Sequence, residues 1–192
     1  MKEVKSILLV GVGGQGTILA SKLLTYGLLE DGYDVKMSEI HGMSQRGGSV
    51  TTQIRYGEKV YAPTIGIGEA DILVSFEEME TYRWLPYLKP EGTVILNNYR
   101  LPSAPILSGA ADYPEGLKEE IQEKAHTIII DASKKALELG NSKTMNIVLL
   151  GALVKAMSLT EMNWDSIMEK NIKPQFLEDN KKAFQIGMDL VH

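Results

Sequence analysis

Cysteine is absent from the 192 residues of this chain. Disulfides, thiolate metal sites and cysteine-ligated iron–sulfur clusters are therefore excluded within it. Arginine is scarce, with only Arg46, Arg55, Arg83 and Arg100, and the formal net charge is -5. Sequence-independent nucleic-acid binding requires a dominant basic surface, so we expect no nucleic-acid partner.

Long apolar runs are missing as well. No run approaches the roughly 18 residues that a membrane-spanning helix requires, and Met1–Ser6 shows no charged-then-apolar leader pattern. We therefore expect no membrane partner and a cytoplasmic location. The three histidines, His41, His126 and His192, offer no metal-ligand spacing, so no metal site is predicted.

Short apolar runs alternate with helical patterns over most of the chain. The first strand is predicted at Ile7–Val10 and the first helix at Thr17–Glu30. The run Ser49–Tyr56, followed by a turn and Val60–Ala62, predicts an antiparallel β-hairpin. From residue 145 onward the pattern is only helical.

This order of elements predicts an α/β fold. We expect a Rossmann-like, three-layer, mostly parallel sheet with an antiparallel β-hairpin insertion and C-terminal helices. The chain, 1–192, is predicted to form a single domain, with an α/β core over 1–144 and a helical C-terminal part over 145–192.

Two glycine-rich segments carry most of the functional information. The first, Gly11-Val-Gly-Gly-Gln-Gly16, follows a predicted strand and opens a predicted helix, and Gly11, Gly13 and Gly16 fit the pattern Gly-x-Gly-x-x-Gly. Either this segment binds a dinucleotide, with Glu39 on a ribose, or it is a tight turn that brings helix and sheet close together. The pattern alone leaves both alternatives open.

The second segment, His41-Gly-Met-Ser-Gln-Arg-Gly-Gly48, lies in a loop predicted over Glu39–Gly48, after the second strand at Tyr33–Ser38. Because the carboxyl ends of parallel strands meet at one edge of a sheet, we expect both segments at one site. The Arg46 guanidinium either grips a phosphate or carboxylate or forms an ion pair that fixes the loop. His41 is either a general base or a loop histidine bonded to the backbone.

Further polar groups follow two other predicted strands. Asn97 and Asn98 either line the same edge of the sheet or form a turn. The acidic run Glu77-Glu-Met-Glu80 is predicted to begin a helix, where carboxylates complement the helix dipole. No Ser/His/Asp arrangement is visible, so neither Thr17 nor Ser44 is a predicted nucleophile.

Two stretches taken together form a far more specific pattern than either one alone. They are Gly13-Gly-Gln-Gly16 and Glu39-Ile-His-Gly-Met-Ser-Gln-Arg-Gly-Gly-Ser49. The pattern resembles the gamma domain of the 2-oxoacid:ferredoxin oxidoreductases, and within that family the beta subunits of the indolepyruvate branch. The resemblance runs over nearly the whole chain and includes Ala70-Asp-Ile-Leu-Val74 and a helix at Asn146–Lys155. It implies one subunit of an enzyme that oxidatively decarboxylates a 2-oxoacid, expected to be indolepyruvate or another aryl-pyruvate, to acyl-CoA and CO2 and reduces ferredoxin.

The same resemblance implies that no cofactor is bound by this chain alone. Thiamine diphosphate, Mg²⁺ and iron–sulfur clusters are expected in a larger alpha subunit, with coenzyme A as co-substrate and ferredoxin as a partner of the complex. The usual thiamine motif, Gly-Asp-Gly followed a short distance later by Asn-Asn, is missing: the one Asp-Gly, Asp31-Gly32, lies far from Asn97-Asn98.

The resemblance further implies that the glycine loops face the partner's active site and help enclose substrate or coenzyme A. The residues concerned are Gly13, Gly14, Gln15, Gly16, His41, Gly42, Ser44, Gln45, Arg46, Gly47 and Gly48. Only His41 and Arg46 are candidates for a catalytic role, and Arg46 is the better candidate for touching an anionic group. Two rival hypotheses stand beside this one: a stand-alone NAD(P)-dependent reductase, and a non-catalytic assembly module.

Overall fold

A computed structural model describes residues 3–42 and 47–192. The strands are β1 (Lys5–Val12), β2 (Asp34–His41), β3 (Ser49–Gly57), β4 (Ala70–Ser75), β5 (Leu88–Asn97) and β6 (His126–Ile130). The helices are α1 (Thr17–Glu30), α2 (Glu78–Trp84), α3 (Ala104–Leu107), α4 (Leu117–Lys124), α5 (Ala132–Glu138), α6 (Met145–Ala156), α7 (Trp164–Asn171) and α8 (Pro174–Asp189). Short 3₁₀ turns cover Leu85–Tyr87 and Ser142–Thr144.

All six strands form one sheet in the order β2-β3-β1-β4-β5-β6. The neighbours β1, β4, β5 and β6 pair in parallel, whereas β3 pairs antiparallel with both β1 and β2. The predicted α/β fold with a mostly parallel sheet and an antiparallel hairpin is confirmed. The carboxyl ends of β1, β4, β5 and β6 consequently lie at the same edge.

Helices cover both faces of this sheet, which makes three layers. Alternate side chains of β1 point to opposite faces: Ile7 and Leu9 join the core formed with α1, α6, α7 and α8, whereas Leu8 and Val10 join the core formed with α2 and α4. Helix α6 is buried along its length from Asn146 to Val154, because it packs between the sheet and α8. No helix in the described ranges combines the length and hydropathy that a bilayer crossing needs.

The hairpin is built from different strands than predicted. Its arms are β2 and β3, in register from Asp34 opposite Gly57 to His41 opposite Val50. Val60–Ala62 forms no strand in the structure and belongs to the connection between β3 and β4. The predicted pairing of Ser49–Tyr56 with Val60–Ala62 was wrong, because alternation of apolar and polar residues identifies a strand but not its pairing partner.

Side-chain acceptors hold this connection in place. The Asp34 carboxylate accepts a hydrogen bond from the Val60 N–H at 2.8 Å, and the Gln53 side-chain oxygen accepts one from the Ile65 N–H at 2.7 Å. The segment is thus tied to the hairpin through single contacts rather than a ladder.

Candidate functional site

The two glycine-rich segments meet at the carboxyl end of β1. The Gly13 N–H donates a hydrogen bond to the Gly48 carbonyl oxygen at 2.9 Å. Gly14 and Gly16 take φ values of 98° and 80°, a conformation that glycine adopts without steric cost. The structure therefore places the described residues of both segments side by side at one edge of the sheet.

The second segment is described on either side of residues 43–46. The two ends are joined, because the Gly42 N–H donates to the Ser49 carbonyl oxygen at 2.8 Å. Three predicted site residues lie outside the described part of the chain: Ser44, Gln45 and Arg46.

The three pattern glycines of the first segment differ in how much space surrounds them. A β-carbon on Gly11 would lie 2.9 Å from Cβ of Phe76, and one on Gly16 would lie 2.7 Å from Nδ2 of Asn146. The Asn146 amide uses the free space to donate to the Gly16 carbonyl oxygen at 3.0 Å. A β-carbon on Gly13 would meet only the Gly48 oxygen, at 3.7 Å. Close packing therefore accounts for two of the three glycines, as the tight-turn alternative requires.

Gln15 and Asn97 connect the ends of neighbouring strands. Gln15 accepts from the Val12 N–H at 2.7 Å and donates to the Phe76 carbonyl oxygen at 3.0 Å. Asn97, which is fully buried, donates to the same oxygen at 3.2 Å and accepts from the Ser133 N–H at 3.4 Å. Of the two alternatives for Asn97, the structure therefore supports a position at the shared edge, where it cross-links β5, α5 and the end of β4.

A cleft of about 390 Å³ opens beside the first glycine segment. It lies outside the carboxyl ends of the parallel strands, where open α/β sheets bind ligands. Its lining residues are Gly13, Gly14, Gln15, Tyr99, Leu101, Ser133, Leu137, Ser142 and Met145. This lining offers hydroxyl, amide and apolar groups, and it includes no charged side chain among the described residues.

Glu39 and His41 lie on β2, so the predicted loop over Glu39–Gly48 was wrong for its first three residues. Pairing with β3 extends the strand to His41. The Glu39 carboxylate accepts from the Ser21 hydroxyl of α1 at 3.1 Å. The His41 Nε2 lies 3.9 Å from that carboxylate, and the His41 side chain is 48% exposed. His41 therefore faces a carboxylate and solvent.

The position of Glu39 disfavours the dinucleotide hypothesis. In a dinucleotide fold, the acid that binds the ribose ends the strand next to β1. Here β3 stands between β1 and β2, so about 10 Å separates the two strands. The Glu39 carboxylate is also bonded to Ser21 of α1.

Two buried glutamates after β4 hold one wall of the cleft. Glu77 caps α2 by accepting from the Glu80 N–H at 2.9 Å, which agrees with the predicted helix start. Its other carboxylate oxygen accepts from the Leu101 N–H at 3.2 Å and from the Tyr113 hydroxyl at 2.5 Å. Glu78 accepts two hydrogen bonds from the guanidinium of Arg100, at 3.0 and 3.2 Å.

The third glutamate of this turn, Glu80, reaches the second glycine segment. It is buried, and its carboxylate accepts from the Ser49 hydroxyl at 2.6 Å. Burial raises the pKa of Glu80, while the bond from Ser49 and the nearby Arg83 guanidinium oppose that rise. Sequence reasoning predicted the helix start but missed these long-range contacts, because spacing along the chain carries no signal for a partner 31 residues away.

Glu80→Gln is expected to flatten the pH dependence of stability above pH 4.5, the ordinary pKa of this carboxyl. Because the pKa is raised in the folded state, the native protein keeps a proton that the unfolded chain has already released. The free energy of unfolding therefore falls as pH rises through this window. Glutamine does not ionise, so the variant loses that slope.

Urea denaturation of both proteins from about pH 4 to about pH 8 measures this difference. Glu119→Gln, at an exposed position, is the matched control for loss of a carboxylate. An identical slope in wild type and Glu80→Gln contradicts the prediction.

Comparison with known proteins identifies a family. The protein-family model described as pyruvate ferredoxin/flavodoxin oxidoreductase matches residues 6–190 of this chain. Indolepyruvate oxidoreductase subunit IorB of Thermococcus kodakarensis is 38% identical, over 98% of this chain and 96% of its own. Pyruvate synthase subunit PorC of Methanosarcina barkeri is 29% identical, over 87% of this chain and 82% of its own.

Solved structures share the fold. The gamma subunit of a keto/oxoacid ferredoxin oxidoreductase from Geobacter sulfurreducens superposes with a TM-score of 0.71 at 20% identity, over 97% of both chains. A 2-oxoglutarate:ferredoxin oxidoreductase from Magnetococcus marinus, solved with 2-oxoglutarate, coenzyme A and succinyl-CoA bound, gives a TM-score of 0.79 at 21% identity. The match covers 99% of this chain and 31% of that one, so this chain corresponds to about a third of that larger chain. The family match over residues 6–190 and the 38% identity to IorB over 98% of this chain agree: this protein belongs to the pyruvate ferredoxin/flavodoxin oxidoreductase family.

Proposed function

We propose that this chain is the cofactor-free small subunit of a 2-oxoacid:ferredoxin oxidoreductase that acts on indolepyruvate or a related aryl-pyruvate. Homologues of this chain are subunits of oxidoreductases of this class. Sequence identity supports indolepyruvate as the substrate. The IorB relatives are 33–38% identical to this chain, whereas the pyruvate synthase and pyruvate/ketoisovalerate relatives are 28–29% identical. We further propose that residues 1–192 act as one domain in that complex.

The reaction joins the acyl group of the 2-oxoacid to the coenzyme A thiol, releases CO2 and passes the electron pair to ferredoxin. Thiamine diphosphate would supply the carbanion chemistry, and iron–sulfur clusters would supply one-electron transfer. The residues of this chain do not fit either group, because it has neither a cysteine nor the thiamine motif. A larger partner subunit is therefore proposed to hold them, together with Mg²⁺.

The observation that carries the role of this subunit is the hydrogen bond from Gly13 to Gly48. It joins the two glycine loops at the edge of the sheet where the cleft opens. We propose that this joined edge faces the partner's active site and helps to enclose substrate or coenzyme A. Because the described lining of the cleft is uncharged, an anionic ligand there needs a cation from elsewhere, and Arg46 is our candidate.

An anaerobic pull-down of the chain from its native host tests this function. We expect a large, cysteine-rich partner in the eluate by mass spectrometry, together with viologen reduction that requires indolepyruvate and coenzyme A. Omitting coenzyme A is the control, and pyruvate in place of indolepyruvate tests the substrate. Recovery of the chain alone, bound to a dinucleotide, contradicts the proposal and supports the reductase.

A further inference from the structure

Ser49 lies at the point where the second glycine segment enters β3. Three contacts hold this point. The Ser49 carbonyl oxygen accepts from the Gly42 N–H at 2.8 Å, and the preceding Gly48 carbonyl oxygen accepts from the Gly13 N–H at 2.9 Å. The Ser49 hydroxyl donates to the Glu80 carboxylate at 2.6 Å. Ser49 also pairs with Val12 of β1 at the end of the antiparallel ladder. Of the three contacts, the third is the one that ties this point to α2.

Glu80 is itself held rigidly. Its side chain is 4% exposed, and the Arg83 guanidinium lies 2.9 Å from the carboxylate oxygen that does not bind Ser49. Its backbone N–H donates to the Glu77 carboxylate at 2.9 Å. Glu77 in turn accepts from Leu101, which lines the cleft. The first turn of α2 therefore contacts Ser49, the residue after the second glycine segment, on one side and the cleft wall at Leu101 on the other.

We propose that Glu80 is a positioning residue: through the Ser49 hydroxyl it holds the Gly47–Gly48 backbone against Gly13, and so fixes the glycine loops relative to the cleft. The proposal rests on the proposed function, in which these loops enclose substrate or coenzyme A. A ligand-binding group must be held close to its productive position by residues that are themselves locked. Small displacements of such a group lower catalytic efficiency by up to about 100-fold.

The test uses the complete complex, purified with this chain as wild type or variant. The variants are Ser49→Ala, Glu80→Ala, Glu80→Gln, the Ser49→Ala/Glu80→Ala double variant and Glu119→Ala. We expect Ser49→Ala and Glu80→Ala each to lower kcat/KM by about 10-fold. The double variant should be no worse than the single variants, because both remove one contact. Glu80→Gln should recover activity, since its amide oxygen still accepts from Ser49.

Glu119→Ala is the matched control, because it removes an exposed glutamate side chain from α4. It should leave kcat/KM unchanged. The midpoint of thermal unfolding of Ser49→Ala should fall only modestly, because one hydrogen bond to a buried carboxylate is lost while the fold is kept. A folded variant with lowered kcat/KM separates positioning from unfolding. Ser49→Ala keeps the test decisive if Glu80→Ala fails to fold.

Arg46→Ala distinguishes failure of the positioning role of Glu80 from failure of the proposed function of the glycine loops. If Arg46→Ala lowers kcat/KM while Ser49→Ala does not, the positioning role is wrong and the proposed function stands. If neither changes kcat/KM, the proposed role of the loops fails as well. Additive losses in the double variant also overturn the positioning role, because they show that Ser49 and Glu80 act independently.

Discussion

Gly187→Ala should lower the free energy of unfolding by about 3 kcal/mol, a large share of what a domain of this size has. A β-carbon at this position would lie 1.9 Å from the Val148 carbonyl oxygen and 2.8 Å from its carbon. Both are backbone atoms of α6, so no side-chain rotation relieves the overlap. The axes of α6 and α8 must separate, and the packing of both helices is weakened.

Urea denaturation followed by circular dichroism measures this loss. Gly151→Ala tests the same close contact between α6 and α8 from the other helix, because its β-carbon would lie 2.1 Å from the Phe184 carbonyl oxygen. Combining the two changes should cost less than their sum, since either alone forces the helices apart. Gly13→Ala is the control, with only one neighbour at 3.7 Å.

A Gly187→Ala midpoint equal to that of wild type would contradict the close helix crossing. The same experiment examines the proposed single domain. Helix α6 packs against both the sheet and α8, so we expect one cooperative transition for the entire chain. Separate transitions for the α/β core and the helical part would show two units.

Arg46→Ala should lower kcat/KM of the assembled complex by about 10- to 100-fold. The described lining of the cleft is uncharged, so the guanidinium would supply the main attraction for an anionic group. Loss of a hydrogen bond to a charged group costs about 1.5–3 kcal/mol, which corresponds to that range of rates. Steady-state kinetics with indolepyruvate and coenzyme A varied in turn identifies which of them Arg46 contacts.

Two variants control this experiment. Arg46→Lys keeps the charge but loses the planar fork, so an intermediate loss is expected if the contact is bidentate. Lys182→Ala removes an exposed cation from α8, away from the cleft lining, and should leave the kinetics unchanged. Normal kinetics and normal assembly with Arg46→Ala would favour the assembly-module hypothesis.

Local signals predicted the helices well. Helix α1 spans Thr17–Glu30 in both the prediction and the structure, because helical spacing of apolar residues and the Asp31-Gly32 stop act within a few turns. Asn163 caps α7 by accepting from the Ser166 N–H, and Pro174 opens α8, and both are local effects of residue type. The two glycine segments were also recognisable, since their residue types and spacing suffice to resemble a family.

Local sequence signals could not predict which strands pair or which side chains become buried. The strand partner of β3, the extension of β2 to His41 and the separation of Glu39 from β1 depend on which strands become neighbours in the sheet. The contacts of Glu80 depend on which carboxylates the fold buries and on what lies opposite them. The sequence by itself thus determined the α/β class, the first helix, the family and the glycine loops, because these depend on local spacing. Only the tertiary structure decided the hairpin partner, the position of Glu39 and the Ser49–Glu80 contact, because each joins residues that are distant along the chain.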